Sequence, residues 1–240
     1  MLRRLWLGPL LAIVLFAVRG NAEERTVSCG HFSKASVADP APREDQHSLE
    51  RLASINASVK AQQNSVLFLG DSITERWTPE IWQRYFTPRK ILNAGIDGDR
   101  TEHLFWRLDH GNLDGPTSRL IILLIGTNDL GHGRPPTVAA EGIRADLVHL
   151  RNRLPRTRIL LLGLTPRSDR FHRKVMDVNK LIATCNGGWV TYRDIGNGLL
   201  DKGRPAKETL LDGVHFTSRG YDFLTARLIP LIDILQKQLH

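Results

Sequence analysis

Short, nearly continuous apolar runs alternate with amphipathic stretches along most of this chain. Ser65 to Leu69, Lys90 to Ala94, Leu120 to Ile125, Arg158 to Leu164 and Trp189 to Asp194 predict five strands. Runs that lack polar alternation suit strands buried on both faces. Leu120 to Ile125 is the most apolar of them and is expected at the centre of the sheet. Between these runs the apolar spacing turns helical. Leu52, Ile55 and Val59 mark a helix over Ser48 to Gln63, and a helical stretch is expected through Trp77 to Tyr85. Further helices are predicted near Thr101 to Leu108, over Thr137 to Leu154, over Val175 to Cys185, and from about Thr217 toward Gln238. Pro155 ends the long helix, and Pro230 is expected to kink the last one. Strands alternating with helices imply an α/β fold, a parallel sheet held between helix layers.

The start of the chain follows a different pattern. Arg3-Arg4, an uncharged run from Leu5 to Val18, and Gly20-Asn21-Ala22 have the basic, apolar and small-residue order of a secretory leader. That run is shorter than the roughly 20 residues that span a bilayer. We therefore expect cleavage near Ala22 rather than a retained anchor, and a secreted or periplasmic mature protein without stable membrane insertion. Residues 23–47 are polar, broken by Pro40 and Pro42, and read as an irregular arm ahead of one domain over 48–240. The formal charge is +8. Removing Arg3, Arg4 and Arg19 with the leader leaves a modest, scattered excess, and no basic-aromatic motif calls for nucleic acid. An oxidising compartment would allow Cys29 and Cys185 to pair. No metal-ligand spacing such as Cys-x-x-Cys or His-Glu-x-x-His occurs.

Candidate chemistry collects where the strands end. In open α/β sheets ligands sit at the carboxyl ends of the strands. Gly70-Asp71-Ser72-Ile73-Thr74, Gly95-Ile96-Asp97-Gly98-Asp99 and Gly126-Thr127-Asn128-Asp129 each follow a different predicted strand, and Asp212-Gly213-Val214-His215 lies far downstream. Each block has a plain structural reading beside the chemical one. Ser72-Ile73-Thr74-Glu75 matches a capping box, so Ser72 could cap a helix or serve as a nucleophile, and local sequence does not separate the two. Asp212 and His215, three residues apart on a turn, could set a carboxylate against one imidazole nitrogen and leave the other facing outward, as a general base requires. They could equally form an ordinary turn. Gly98 could offer its N–H to a substrate or only supply a positive φ. Asn128 could donate to an oxyanion or tie down its loop, and Asp129 reads as a loop carboxylate. Trp77, Trp82 and Trp106 read as helix-face packing. No dinucleotide fingerprint, phosphate-binding loop, calcium loop or Gly-x-Ser-x-Gly elbow is present.

Together the four blocks resemble the SGNH, or GDSL, hydrolase family over roughly residues 64 to 230. Ser72, Gly98, Asn128 and His215 stand at the positions that give the family its name. Asn93-Ala94-Gly95-Ile96-Asp97-Gly98-Asp99-Arg100-Thr101, Trp106-Arg107-Leu108, Gly163-Leu164-Thr165-Pro166-Arg167 and His215-Phe216-Thr217-Ser218-Arg219-Gly220-Tyr221 are most similar to the branch of platelet-activating-factor acetylhydrolase catalytic subunits. Asp97 departs from the glycine that relatives often carry. The resemblance implies a flavodoxin-like three-layer α/β/α sandwich with a five-stranded parallel sheet. It implies Ser72 as nucleophile, His215 as base oriented by Asp212, and an oxyanion hole from the N–H groups of Ser72 and Gly98 with the Asn128 side chain. It requires no metal or organic cofactor. The expected function is a secreted serine esterase acting on short acyl esters, acetyl foremost, of a small molecule, carbohydrate or glycan. The alternatives are a lipid-type esterase and a non-catalytic binder of an acylated ligand. Oligomeric state is left open.

Overall fold

The computed structural model describes residues 39–61, 66–116, 118–201, 204–205 and 207–239. The leader expected over 1–22 and Cys29 lie outside these residues. Cys185 is fully buried and disulfide-bonded.

Helix α1 (Gln46–Ala61) opens the described fold, and Asp45 caps it by accepting the backbone N–H of Ser48 at 3.0 Å. Strand β1 (Val66–Gly70) leads into the one-turn helix α2 (Ser72–Glu75). Helix α3 (Pro79–Ile81) then runs into a wide turn over Trp82–Phe86 and a tight one over Thr87–Arg89. After β2 (Ile91–Gly95), helix α4 (Thr101–Arg107) continues as a wide turn over Leu108–Asn112. Strand β3 (Leu120–Leu124), the short α5 (Thr127–Gly131), the long α6 (Pro136–Arg153), β4 (Arg158–Leu162), α7 (Asp169–Ala183) and β5 (Val190–Arg193) follow. A two-stranded hairpin of β6 (Leu200–Asp201) and β7 (Arg204–Pro205) precedes the final helix α8 (Ser218–Lys237).

Strands β1 to β5 form one parallel sheet in the order β2-β1-β3-β4-β5, so β3 is central as its apolar sequence predicts. All five residues of β1 and of β3 are buried. Because successive side chains alternate between faces, each strand feeds two cores. Leu67, Leu69, Ile121, Leu123, Ile159 and Leu161 pack with residues of α1, α4, α6 and α7. Phe68, Ile122, Leu124, Leu160 and Leu162 pack with Ile73, Trp77, Phe86 and the buried stripe of α8. The result is a three-layer α/β/α sandwich.

Several boundaries differ from the sequence reading. Helix α7 begins at Asp169, six residues before the expected start, because Phe171 is buried and anchors its first turn. The stretch after Trp77 is a chain of short turns rather than one helix. Pro230 lies inside α8, which runs through it. Trp77 packs as expected, with ring centroids 5.5 Å from Phe68 and 5.0 Å from Tyr221. Among the described residues no helix is long and apolar enough to cross a membrane.

Candidate active site

The site is assembled where β1, β2 and β3 end. Gly70 closes β1, and Asp71 caps α2 by accepting the Ile73 N–H at 2.9 Å. The cap is therefore Asp71, not Ser72. This frees the Ser72 hydroxyl, which sits at the first position of the helix in a buried setting. Burial pushes the Asp71 carboxyl up to about 7, against the pull of the Ile73 N–H.

Helix α8 delivers the imidazole. Tyr221 donates its hydroxyl to the Ile73 carbonyl at 3.0 Å, and the Trp77 indole N–H donates to Thr225 Oγ1 at 3.0 Å. These two bonds fasten α8 to the segment that carries Ser72. The loop before α8 is closed by Leu211 N–H donating to the His215 carbonyl at 2.8 Å, with Gly213 at φ +82° inside the turn. Within it Asp212 Oδ1 accepts the N–H groups of Val214 and His215 at 3.0 and 2.9 Å, and Oδ2 faces His215 Nδ1 at 2.7 Å. Asp212 stays ionised, held down to about 2: partial burial raises it, but the His215 and Val214 hydrogen bonds outweigh that. The carboxylate fixes the ring proton on Nδ1. Nε2 is left to accept the Ser72 hydroxyl, 2.9 Å away and 143 residues distant in sequence.

The loops after β2 and β3 meet beside this chain of bonds. Gly98 has φ +77°, and Asn128 donates its amide Nδ2 to the Asp99 carbonyl at 2.9 Å. Only one amide hydrogen is used, so the second remains available. Beneath the loop the buried Arg107 donates to Asp99 Oδ2 at 2.8 Å, to the Gly70 carbonyl at 2.9 Å, and to Asn112 Oδ1. One guanidinium thus ties the strand entering Ser72 to the loop carrying Gly98. Burial raises Asp99 to about 6 despite Arg107. Arg167, from the loop after β4, donates to the Thr127 carbonyl at 2.5 Å, and the next residue, Ser168, donates its N–H to the Gly213 carbonyl at 2.8 Å.

Asp129 is a structural carboxylate, as the sequence suggests. It accepts from Thr101 Oγ1 at 2.9 Å and from Arg134 at 2.8 Å. Asp97, the departure near the oxyanion loop, is paired with Arg76, and its backbone N–H donates to Glu75. Sequence reasoning missed Asp71 as the cap and gave no role to Arg107 or Arg43. The Arg43 guanidinium lies against Gly98, with Nη1 2.5 Å from where a Cβ would stand. A cavity of about 310 Å³ lies between the loops after β4 and β5, lined in part by Leu164, Pro166 and Met176. It adjoins the Arg167 loop but contains none of the residues just described.

A hydroxyl bonded to an imidazole that is itself bonded to a carboxylate, with amide donors alongside, suits acyl transfer. Human platelet-activating factor acetylhydrolase IB subunit alpha1 is 30% identical over 196 residues, covering 77% of this chain and 84% of that protein. The alpha2 subunit from Rattus norvegicus is 33% identical over 180 residues, covering 72% and 78%. A solved structure from Streptococcus pneumonia, assigned as a platelet activating factor, superposes with a TM-score of 0.69 at 28% identity, covering 79% of this chain and 93% of that one. A GDSL-like lipase from Bacteroides thetaiotaomicron gives a TM-score of 0.63 at 19% identity, covering 79% and 97%, and shares the fold. Residues 68–223 match the GDSL-like Lipase/Acylhydrolase family, and the chain belongs to it as a serine ester hydrolase.

Proposed function

We propose that this protein hydrolyses short acyl esters, acetyl foremost, with Ser72 as nucleophile. The observation that carries the reading is the unbroken path from Asp212 through His215 to Ser72, at 2.7 and 2.9 Å. Ser72 attacks the ester carbonyl while His215 Nε2 takes its proton. The alkoxide leaves with that proton, and His215 then activates water to release the acid. Asp212 holds the ring orientation and stabilises the imidazolium. The N–H groups of Ser72 and Gly98 and the spare Asn128 hydrogen receive the oxyanion.

Acetyl is favoured because the relatives at 30% and 33% identity are named acetylhydrolase subunits. The same names move the alcohol half from the glycan expected above toward a lipid-type ester. The glycan expectation and secretion both rest on the leader-like start of the chain. Hydrolysis of 4-nitrophenyl esters from acetyl to octanoyl, and of an acetylated phospholipid, tests the reading. Acetyl is expected to be fastest, and Ser72→Ala to abolish turnover. Equal rates for wild type and Ser72→Ala would remove the nucleophile assignment.

A further inference from the structure

One cluster of charge remains unused by this chemistry. Three cations surround the Phe171 ring at the start of α7: Arg167 at 4.2 Å from its centroid, Arg170 at 4.8 Å and Lys174 at 5.9 Å. Like charges gathered on one ring repel, and cation–π attraction to the ring offsets this only in part. Arg170 and Lys174 taken alone would read as a solvated helix face. Arg167 does not fit that description. It is 5% exposed, its Nε is buried without a hydrogen-bond partner, and its bonds go to Thr127 alone. Its hydrogen bonds reach no carboxylate, so the nearby acids offset the cost of burying this guanidinium only at a distance.

The cluster's position says where a directly bonded counter-charge would come from. Arg167 holds Thr127, the residue before Asn128, and Ser168 holds Gly213 within the Asp212–His215 loop. The acids whose field reaches Arg167 are Asp71 and Asp212, the neighbours of the nucleophile and of the base. The patch therefore borders the ester-cleaving centre.

We propose that Arg167, Arg170 and Lys174, gathered on Phe171, bind an anionic group, carboxylate or phosphate, carried by the substrate ester. Guanidinium forks suit both anions through paired N–H donors, and the half-buried Lys174 adds a point charge. The inference rests on the esterase reading and narrows its substrate class.

The test compares three acetates on one ring: 4-acetoxybenzoate, 4-acetoxyphenyl phosphate and the neutral methyl 4-acetoxybenzoate. They are assayed with wild type and with the double variant of exposed Arg170 and half-buried Lys174, Arg170→Ala/Lys174→Ala. We expect kcat/KM for an anionic ester to fall about tenfold relative to the neutral one, chiefly through KM. A loss confined to the phosphate or to the carboxylate identifies the anion. An unchanged ratio of anionic to neutral ester overturns the proposal, since a merely structural patch would affect all three esters alike. Binding of the same anionic esters to Ser72→Ala, with and without the two surface substitutions, gives a readout free of turnover. About tenfold weaker binding supports the patch, and equal affinity sinks it. Wild-type failure to cleave any of the three, with binding intact, would instead count against the esterase reading alone.

Discussion

Asn128 donates its side-chain amide to the backbone carbonyl of Asp99 across 2.9 Å, so the loop after β3 directly braces the loop after β2. The bond fixes the amide plane and aims the second hydrogen. On the proposed mechanism, removing it costs an oxyanion donor and a brace together. Asn128→Ala is expected to lower kcat by roughly 10²–10³-fold, about 3–4 kcal/mol of barrier, with little change in KM. Steady-state kinetics on an acetyl ester checks this. A pure rise in KM would place Asn128 in ground-state binding.

Arg107 serves three acceptors that no smaller cation could reach together: Asp99, the Gly70 carbonyl and Asn112. Arg107 and Asp99 are 2% and 0% exposed, so truncating the arginine strands a buried carboxylate. Arg107→Met is expected to cost about 3–5 kcal/mol in urea unfolding. Arg107→Lys keeps the charge but loses the fork, and should fold with lower kcat and a KM near that of wild type. A fall in stability without that kcat loss would limit Arg107 to holding the fold.

Asp71 gives a pH test. Its folded-state value of about 7 lies above the ordinary 3.8, so the folded protein binds the proton more tightly than the unfolded chain. For a raised carboxylate, stability falls as pH climbs from about 4 to about 7 and levels off above. Asp71→Asn keeps an oxygen to accept the Ile73 N–H and removes the titration. Its stability relative to wild type should therefore rise over that window, on the order of a few kcal/mol in total. Urea midpoints at several pH values measure this. A difference that does not vary with pH would show that Asp71 titrates alike in both states.

These residues also show what sequence could and could not reveal. The five strands were legible because a strand buried on both faces needs a continuous apolar run, and Leu120 to Leu124 has one. Ser72, Gly98, Asn128, Asp212 and His215 were legible because each sits at a strand exit or in a short turn with its own local pattern. The cap was not, since Ser72-Ile73-Thr74-Glu75 satisfies the capping-box pattern whether Ser72 or Asp71 does the capping. Arg107 reads as an ordinary polar position in a helix, because its partner at Gly70 lies 37 residues away. The early start of α7 was hidden for a related reason. Arg167 to Lys174 is highly charged, and only the ring of Phe171, buried in the fold, draws that segment into a helix.

Gly98 combines two constraints that a double-mutant cycle can separate. Its φ of +77° lies in the left-handed region, where an alanine costs roughly 1–2 kcal/mol. The Arg43 guanidinium, paired with Asp45 at 2.8 Å, also occupies the space an added methyl would need. Gly98→Ala is expected to turn the peptide N–H away from the developing oxyanion and lower kcat by roughly 10²-fold, leaving KM nearly constant. The two causes differ in what relieves them. Arg43 is the end of a flexible side chain and can swing aside, whereas backbone strain stays with residue 98. Adding Arg43→Ala to Gly98→Ala should therefore restore less than a tenth of the lost rate, measured as the coupling between the two substitutions. Full recovery in the double variant would show instead that Gly98 is small to seat Arg43, and that its backbone angle has no part in catalysis.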